Sequence, residues 1–287
     1  MGCSIGCTLI TAIISILVFA IAKFFYNLFT CHRSRPSKPT INKKNWEHDV
    51  VYLYQFPRSK SVPNASPFCL KVETFLRHYK INHEIVESLS LRSKEGKMPF
   101  VELNGEQIAD SQLIILALTK HFSITDNLSA EQEGMVRAIS RMVEHGSFGA
   151  IYYDKLGTNT GKFLESALEG TPAYKFRALF TPFLYSKIWA ALNAEGTGLH
   201  SPEEIKTILR ADLQALDQIL GNKLWLVGNQ PTVADFTVFG HIAASYDLPY
   251  EQPIQQMIEV EFPRLKAHHD RMVDEYFAEH SFGRYKR

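Results

Sequence analysis

The chain has 287 residues, 45% hydrophobic and 21% charged, with a formal net charge of +1. That length holds one large domain or two small ones, and the charge balance argues against nucleic acid as a partner. Four cysteines, with only Cys69 beyond the first 31 residues, exclude a disulfide within the globular part and fit a reducing compartment.

Residues 5–30 form the first element, a mostly apolar run whose only charge is Lys23 and which closes on Phe24, Phe25, Tyr26 and Phe29. It is long enough for a transmembrane anchor with an aromatic end at the interface. It lacks the basic start and small-residue cleavage pattern of a signal peptide. Residues 31–46 carry five Lys or Arg and no acid and read as a basic linker. By the positive-inside rule they place the succeeding domain on the cytosolic side of an unspecified membrane, with endomembrane or lysosome both open. Two glycosylation sequons, at Asn64 and Asn127, point the other way and are common by chance.

Residues 47–124 read as an α/β domain. Val50–Phe56 is a β-branched and aromatic strand, and Pro57 to Ala65 is a loop. Ser66-Pro67 then opens an amphipathic helix, Ser as N-cap and Pro at the favoured first position. Asn82–Leu89 is a second strand, so the strand–helix–strand order implies a parallel pair. Met98-Pro99 precedes a hairpin marked by Asn104-Gly105, with Pro99 a candidate for a cis bond, and Asp110 or Ser111 caps the next helix, Gln112–Phe122.

Residues 125–287 read as all helix. The periodic segments are Glu131–Lys155, Lys162–Glu169, Pro182–Glu195 and Pro202–Leu220. Thr232 and Asp235 have capping-box spacing and start a nearly all-apolar helix through Ala244, expected to be the buried centre of this module.

A helix N-terminus carries unpaired N–H groups and partial positive charge, so it favours a thiolate or carboxylate placed there. Ser66 is therefore either a hydroxyl that poises a bound thiol or only a cap. Cys69, three residues on, has no partner Cys for a redox cycle and reads mainly as a half-buried helix residue. Tyr54, ending the first strand, reads mainly as packing. Asp110-Ser111 offers an acid and a hydroxyl at a second helix start, suited to an ammonium and a carboxylate. No His or Cys spacing supports a metal site.

Together, Ser66-Pro67-Phe68, Met98-Pro99 through Asp110-Ser111, and Gly228…Thr232-Val-Ala-Asp235 resemble the glutathione transferase fold, a thioredoxin-like domain followed by a helical one. The resemblance covers about residues 50–277. Tyr54-Gln-Phe-Pro-Arg and Ser66-Pro-Phe-Cys-Leu-Lys-Val-Glu-Thr are more closely similar to the failed-axon-connections family, with its nematode cadmium-responsive members and its metaxin relatives. This resemblance implies glutathione as cosubstrate, with Ser66 (then Tyr54 or Cys69) at the thiol, Met98 and Pro99 at its backbone, and Asp110 and Ser111 at its γ-glutamyl end. It further implies a role in detoxification or in the cadmium and stress response. The other reading is a non-catalytic, metaxin-like adaptor, with a second copy or another protein as partner.

Overall fold

A computed structural model describes residues 39–280. The expected transmembrane anchor, and the linker up to residue 38, lie outside the described residues. Among the described residues no helix is long and apolar enough to cross a membrane.

The N-terminal module is built on a four-stranded sheet of order β2-β1-β3-β4. Strand β1 (Val51–Gln55) pairs parallel with β2 (His83–Glu87) and antiparallel with β3 (Phe100–Leu103), which pairs antiparallel with β4 (Glu106–Ala109). Helix α1 (Pro67–His78) makes the crossover between the parallel strands. The β3–β4 turn is carried by Asn104 and Gly105, both at positive φ, as a tight hairpin requires. Helix α2 (Ser111–His121) closes the module. This is the thioredoxin-like arrangement anticipated from the motif order.

One sheet face, with Val51, Leu53 and Val101, packs under the helices in a single apolar cluster. Residues 40–46, read from sequence as part of the linker, form with Glu47 a strap over the other face. The buried Glu102 carboxylate accepts from the backbone N–H groups of Asn42 and Lys43 (2.8 and 2.9 Å), from the Asn42 amide and from the Tyr54 hydroxyl. Tyr52 accepts from the Glu47 N–H, and the Trp46 ring lies against Gly105, where a Cβ would crowd it. The Asn42, Lys43 and Glu47 N–H groups are thereby bonded to the sheet, and the buried Glu102 carboxylate has the donors its burial demands.

The helical module begins with α3, whose α-helical stretches Ala130–Met142 and Phe148–Tyr152 alternate with π-helical turns Val143–Ser147 and Tyr153–Gly157. It continues through α4 (Thr160–Leu168), α5 (Arg177–Glu195), α6 (Pro202–Leu220), α7 (Val233–Tyr246), α8 (Pro253–Gln256) and α9 (Pro263–Tyr276). Pro182 lies inside α5 rather than at its start. Helix α6 has the predicted bounds because Ser201 and Glu204 form a reciprocal capping box around Pro202.

Helix α7 is buried from Ala234 to Tyr246, as its nearly all-apolar sequence implied. Asp235 organises its start. The carboxylate accepts from the Leu226 and Thr232 N–H groups (2.9 and 2.8 Å), from the Thr232 hydroxyl and from His268 of α9 (2.9 Å). Phe236 and Phe239 of α7 enter the same apolar cluster as α1 and the sheet, so the two modules share a core. Gly240 makes that contact possible: a Cβ there would fall 2.6 Å from the Pro67 carbonyl. Only hydrogen fits at this crossing, and it lies at the first turn of α1.

Candidate functional site

Ser66 caps α1 in extended geometry, its Oγ accepting from the Cys69 N–H at 3.4 Å. Its own N–H donates to Asn64 Oδ1 (2.9 Å), and the Asn64 amide donates to the Phe56 carbonyl (2.7 Å). Asn64 has no exposed surface, so the loop from Pro57 to Ala65 is folded back and pinned at its end. Its other anchor is Arg58, which binds the buried Glu73 of α1 at 2.6 Å. Ser66 itself stays half-exposed.

Cys69 is fully buried, and burial pushes its thiol up to about 12 against the smaller opposing effects of Ser66 and the Phe56 backbone. It is a neutral thiol at physiological pH and packs with Met98 and Tyr54 in a small apolar cluster. Tyr54 stacks on Phe100 with ring centroids 4.4 Å apart and donates to Glu102, and burial, then Glu102, raise its phenol well above the ordinary range. Its hydroxyl is committed to the strap side of the sheet. Of the three thiol-site candidates, Ser66 alone offers a reachable polar group.

The Met98–Pro99 peptide bond is cis and leads directly into β3, with Met98 packed in the Cys69 cluster. Asp110, not Ser111, is the N-cap of α2. Its side chain accepts from the Gln112 and Leu113 N–H groups (2.9 and 3.2 Å) while its backbone sits at φ 72°. Backbone geometry of this kind in a residue with a side chain is uncommon and concentrates at ligand sites. Asp110 is exposed, and Ser111 beside it is 5% exposed. Two helix N-termini thus flank the cis-Pro edge of the sheet.

The helical module adds charges that the sequence did not disclose, and both come from the π turns of α3. Glu144, in the first, forms a buried ion pair with Lys71 of α1 at 2.6 Å and also accepts from Gln112, next to the Asp110–Ser111 pair. Burial pushes the Lys71 amine down, with Glu144 opposing. Lys155, in the second, donates to the carbonyl of Ala65, the residue before Ser66. It is 4% exposed, and burial lowers its amine to about 7. A π turn adds a residue to the helical repeat and rotates the rest of the helix, so a strict 3.6 period misplaces both residues. Lys71 and Glu73 did carry a signal, as charges within the buried run of α1.

Beside Ser66, Phe68 packs edge-on against Phe148 and His241, each at 5.2 Å. Two open hollows of about 460 and 420 Å³ lie elsewhere, around Arg77, Glu275 and Tyr276, and around Asp49 and Phe122. Neither is lined by Ser66, Met98, Asp110 or Ser111. Among the described residues no group of three His, Cys, Asp or Glu could hold a metal. His268 and His269 each turn to a different carboxylate, Asp235 and Asp247.

A thioredoxin-like module with this cis-Pro edge, sharing a core with a helical module through α7, defines the glutathione transferase class of folds. The match to the family described as "Glutathione S-transferase N-terminal domain" covers residues 67–160, and that to "Glutathione S-transferase, C-terminal domain" covers 209–272. A Methylobacillus flagellatus glutathione S-transferase crystallised with glutathione bound has the same fold, with a TM-score of 0.53 at 17% identity over 81% of this chain and 99% of that one. Failed axon connections of Drosophila melanogaster is 34% identical over 84% of this chain, which spans 61% of that protein's length. Human Metaxin-2 is 23% identical over 69% of the chain and 77% of its own length. The isoprene-epoxide–glutathione S-transferase of a Rhodococcus strain is 26% identical over 70% and 89%. The chain belongs to the failed-axon-connections, metaxin-related family of glutathione-transferase-like proteins.

Proposed function

We propose that the chain is a membrane-anchored, glutathione-binding protein of transferase type. The observation that carries this reading is the convergence of the half-exposed Ser66 cap, the cis Met98–Pro99 edge and the Asp110–Ser111 helix start around one end of the sheet. Glutathione would lie along that edge. The Met98 backbone would pair with its cysteinyl peptide, and Ser111 with the α2 N-terminus would receive its γ-glutamyl carboxylate, with the Asp110 carboxylate at its ammonium.

The Ser66 hydroxyl would donate to the glutathione sulfur. A hydrogen bond to the charged form lowers a thiol's pKa, and the α1 N-terminus acts in the same direction. The sulfur lone pair then attacks an electrophilic carbon, and the displaced group or opened epoxide oxygen takes the electron pair and a proton. A role in detoxification or cadmium stress would pass through the glutathione thiol, because Cys69 is sequestered. The domain would face the cytosol, a reading supported by the basic residues that come after the apolar run and by the burial of Asn64, one of the two sequon asparagines.

The adaptor reading is favoured by a different observation: two residues from Ser66, Phe68 is packed edge-on against Phe148 and His241, which would narrow the approach of an electrophile to a thiol held there. The Rhodococcus relative makes an epoxide the electrophile to assay. Glutathione-dependent epoxide turnover that falls at least tenfold in Ser66→Ala supports the transferase. Retention on immobilised glutathione with no turnover supports the adaptor.

A further inference from the structure

Ser111, at the start of α2, is 5% exposed, and its hydroxyl has no partner among the described residues. A nearly buried hydroxyl without a bond is uncommon and marks a place for a ligand or a water. Beside it, Asp110 caps the helix through Oδ1 alone, which leaves Oδ2 open on an exposed residue.

The helical module brings a cation to this helix start. Arg137 of α3 donates from Nη1 to Gln112 Oε1, and Gln112 Nε2 donates to the buried Glu144. Glu144 is fixed in turn by Lys71 at 2.6 Å. The buried pair therefore sets which way the Gln112 amide points, and that amide holds Arg137 at the first turn of α2. The remaining guanidinium nitrogens have no bond among the described residues. Asp110 and Arg137 both lie near enough to act on the Lys71 amine, in opposite senses. Arg141, one turn on in α3, approaches Glu144 at 3.8 Å. Lys71, Arg137 and Arg141 thus outnumber Asp110 and Glu144, and the imbalance favours an added carboxylate. An acid and a guanidinium at one helix start match a zwitterion. The acid takes the ammonium, while the guanidinium and the hydroxyl take the carboxylate.

We propose that Arg137 completes the γ-glutamyl subsite from the helical module and makes it selective for a ligand with a free α-amino-acid head group. This rests on the glutathione reading, and the two fail separately. The full chain is titrated calorimetrically with three probes. They are glutathione, glutathione whose γ-glutamyl carboxylate is replaced by a carboxamide, and an analogue carrying a methyl group in place of the thiol.

The parent should bind glutathione at least tenfold more tightly than the carboxamide. Arg137→Gln should weaken glutathione at least tenfold and leave the carboxamide within about twofold of its parent value, because the lost contact is to the carboxylate alone. Arg137→Lys, which keeps the charge and loses the planar fork, should restore part of the preference. Arg137 is exposed, so thermal unfolding of both variants should match the parent. A preference that survives undiminished in Arg137→Gln overturns the proposal and leaves the glutathione reading standing, as does a parent that binds glutathione and the carboxamide equally. Arg137-dependent binding of the methyl analogue, with no thiolate absorbance from bound glutathione, upholds the proposal and refutes thiol activation at Ser66. Failure of the folded parent to bind any of the three probes overturns both.

Discussion

The Lys155 ammonium of the helical module donates to the Ala65 carbonyl, one residue before the Ser66 cap of the thioredoxin-like module. The turn that presents the candidate hydroxyl is therefore held from outside its own domain. Lys155 is enclosed, with the Phe163 ring 5.6 Å from its nitrogen and Tyr250 bonded to its backbone carbonyl. The environment that makes it a firm clamp also makes its charge costly.

That cost has a sign and a window. The Lys155 amine titrates at about 7 in the folded chain, against roughly 10.4 in an unfolded one. Between those values the unfolded chain binds the extra proton, so stability rises with pH, by up to about 1.4 kcal/mol per unit. Below about pH 7 both states are protonated and the contribution is flat. In Lys155→Met the slope should disappear. Urea unfolding of the full chain in detergent at pH 7, 8 and 9 checks this.

Lys71 and Glu144 are buried together at 2.6 Å, joining α1 to α3. Removing one partner leaves a buried charge, so Lys71→Met alone should cost about 3–5 kcal/mol. Lys71→Met with Glu144→Leu should recover most of that loss, because the pair's attraction mainly offsets its own desolvation. A double-mutant cycle on thermal unfolding tests the coupling.

Glu102 should govern the strap. Its carboxylate gathers the Asn42 and Lys43 N–H groups and the Tyr54 hydroxyl, so Glu102→Leu should cost roughly 2–3 kcal/mol. The strap should also become open to protease. Cleavage between residues 39 and 48 that is no faster than in the parent would contradict the assignment.

Asp235 serves four donors at the start of α7, and its loss should exceed that of an ordinary cap, at about 3–5 kcal/mol for Asp235→Ala. Asp235→Asn, which keeps acceptor capacity, should cost less. Chemical denaturation midpoints of the two variants should rank in that order.

The features legible in the sequence were those written in local chemistry. Ser66-Pro67 and Thr232–Asp235 satisfy orphan backbone groups with neighbouring side chains, and Asn104-Gly105 supplies the positive φ of a tight turn, so their spacing states their geometry. Pro182 misled because a helix-start residue can also come after a first turn, and α5 begins at Arg177. The strap read as a linker because its partner, Glu102, lies about sixty residues away. Glu144 and Lys155 were hidden by π turns that break the period used to assign faces. At the site, the positions of Ser66, Met98, Asp110 and Ser111 were readable, while the clamp on Ser66 from the other module was not.

Asp110→Asn keeps an acceptor for the Gln112 and Leu113 N–H groups and removes only the charge meant for an ammonium. Calorimetric titration of the full chain with glutathione, parent beside Asp110→Asn, therefore tests the central claim most directly. Saturable one-to-one binding by the parent, weakened at least tenfold in the variant at unchanged stability, is the predicted result. Absence of binding by the folded parent at millimolar glutathione would contradict it.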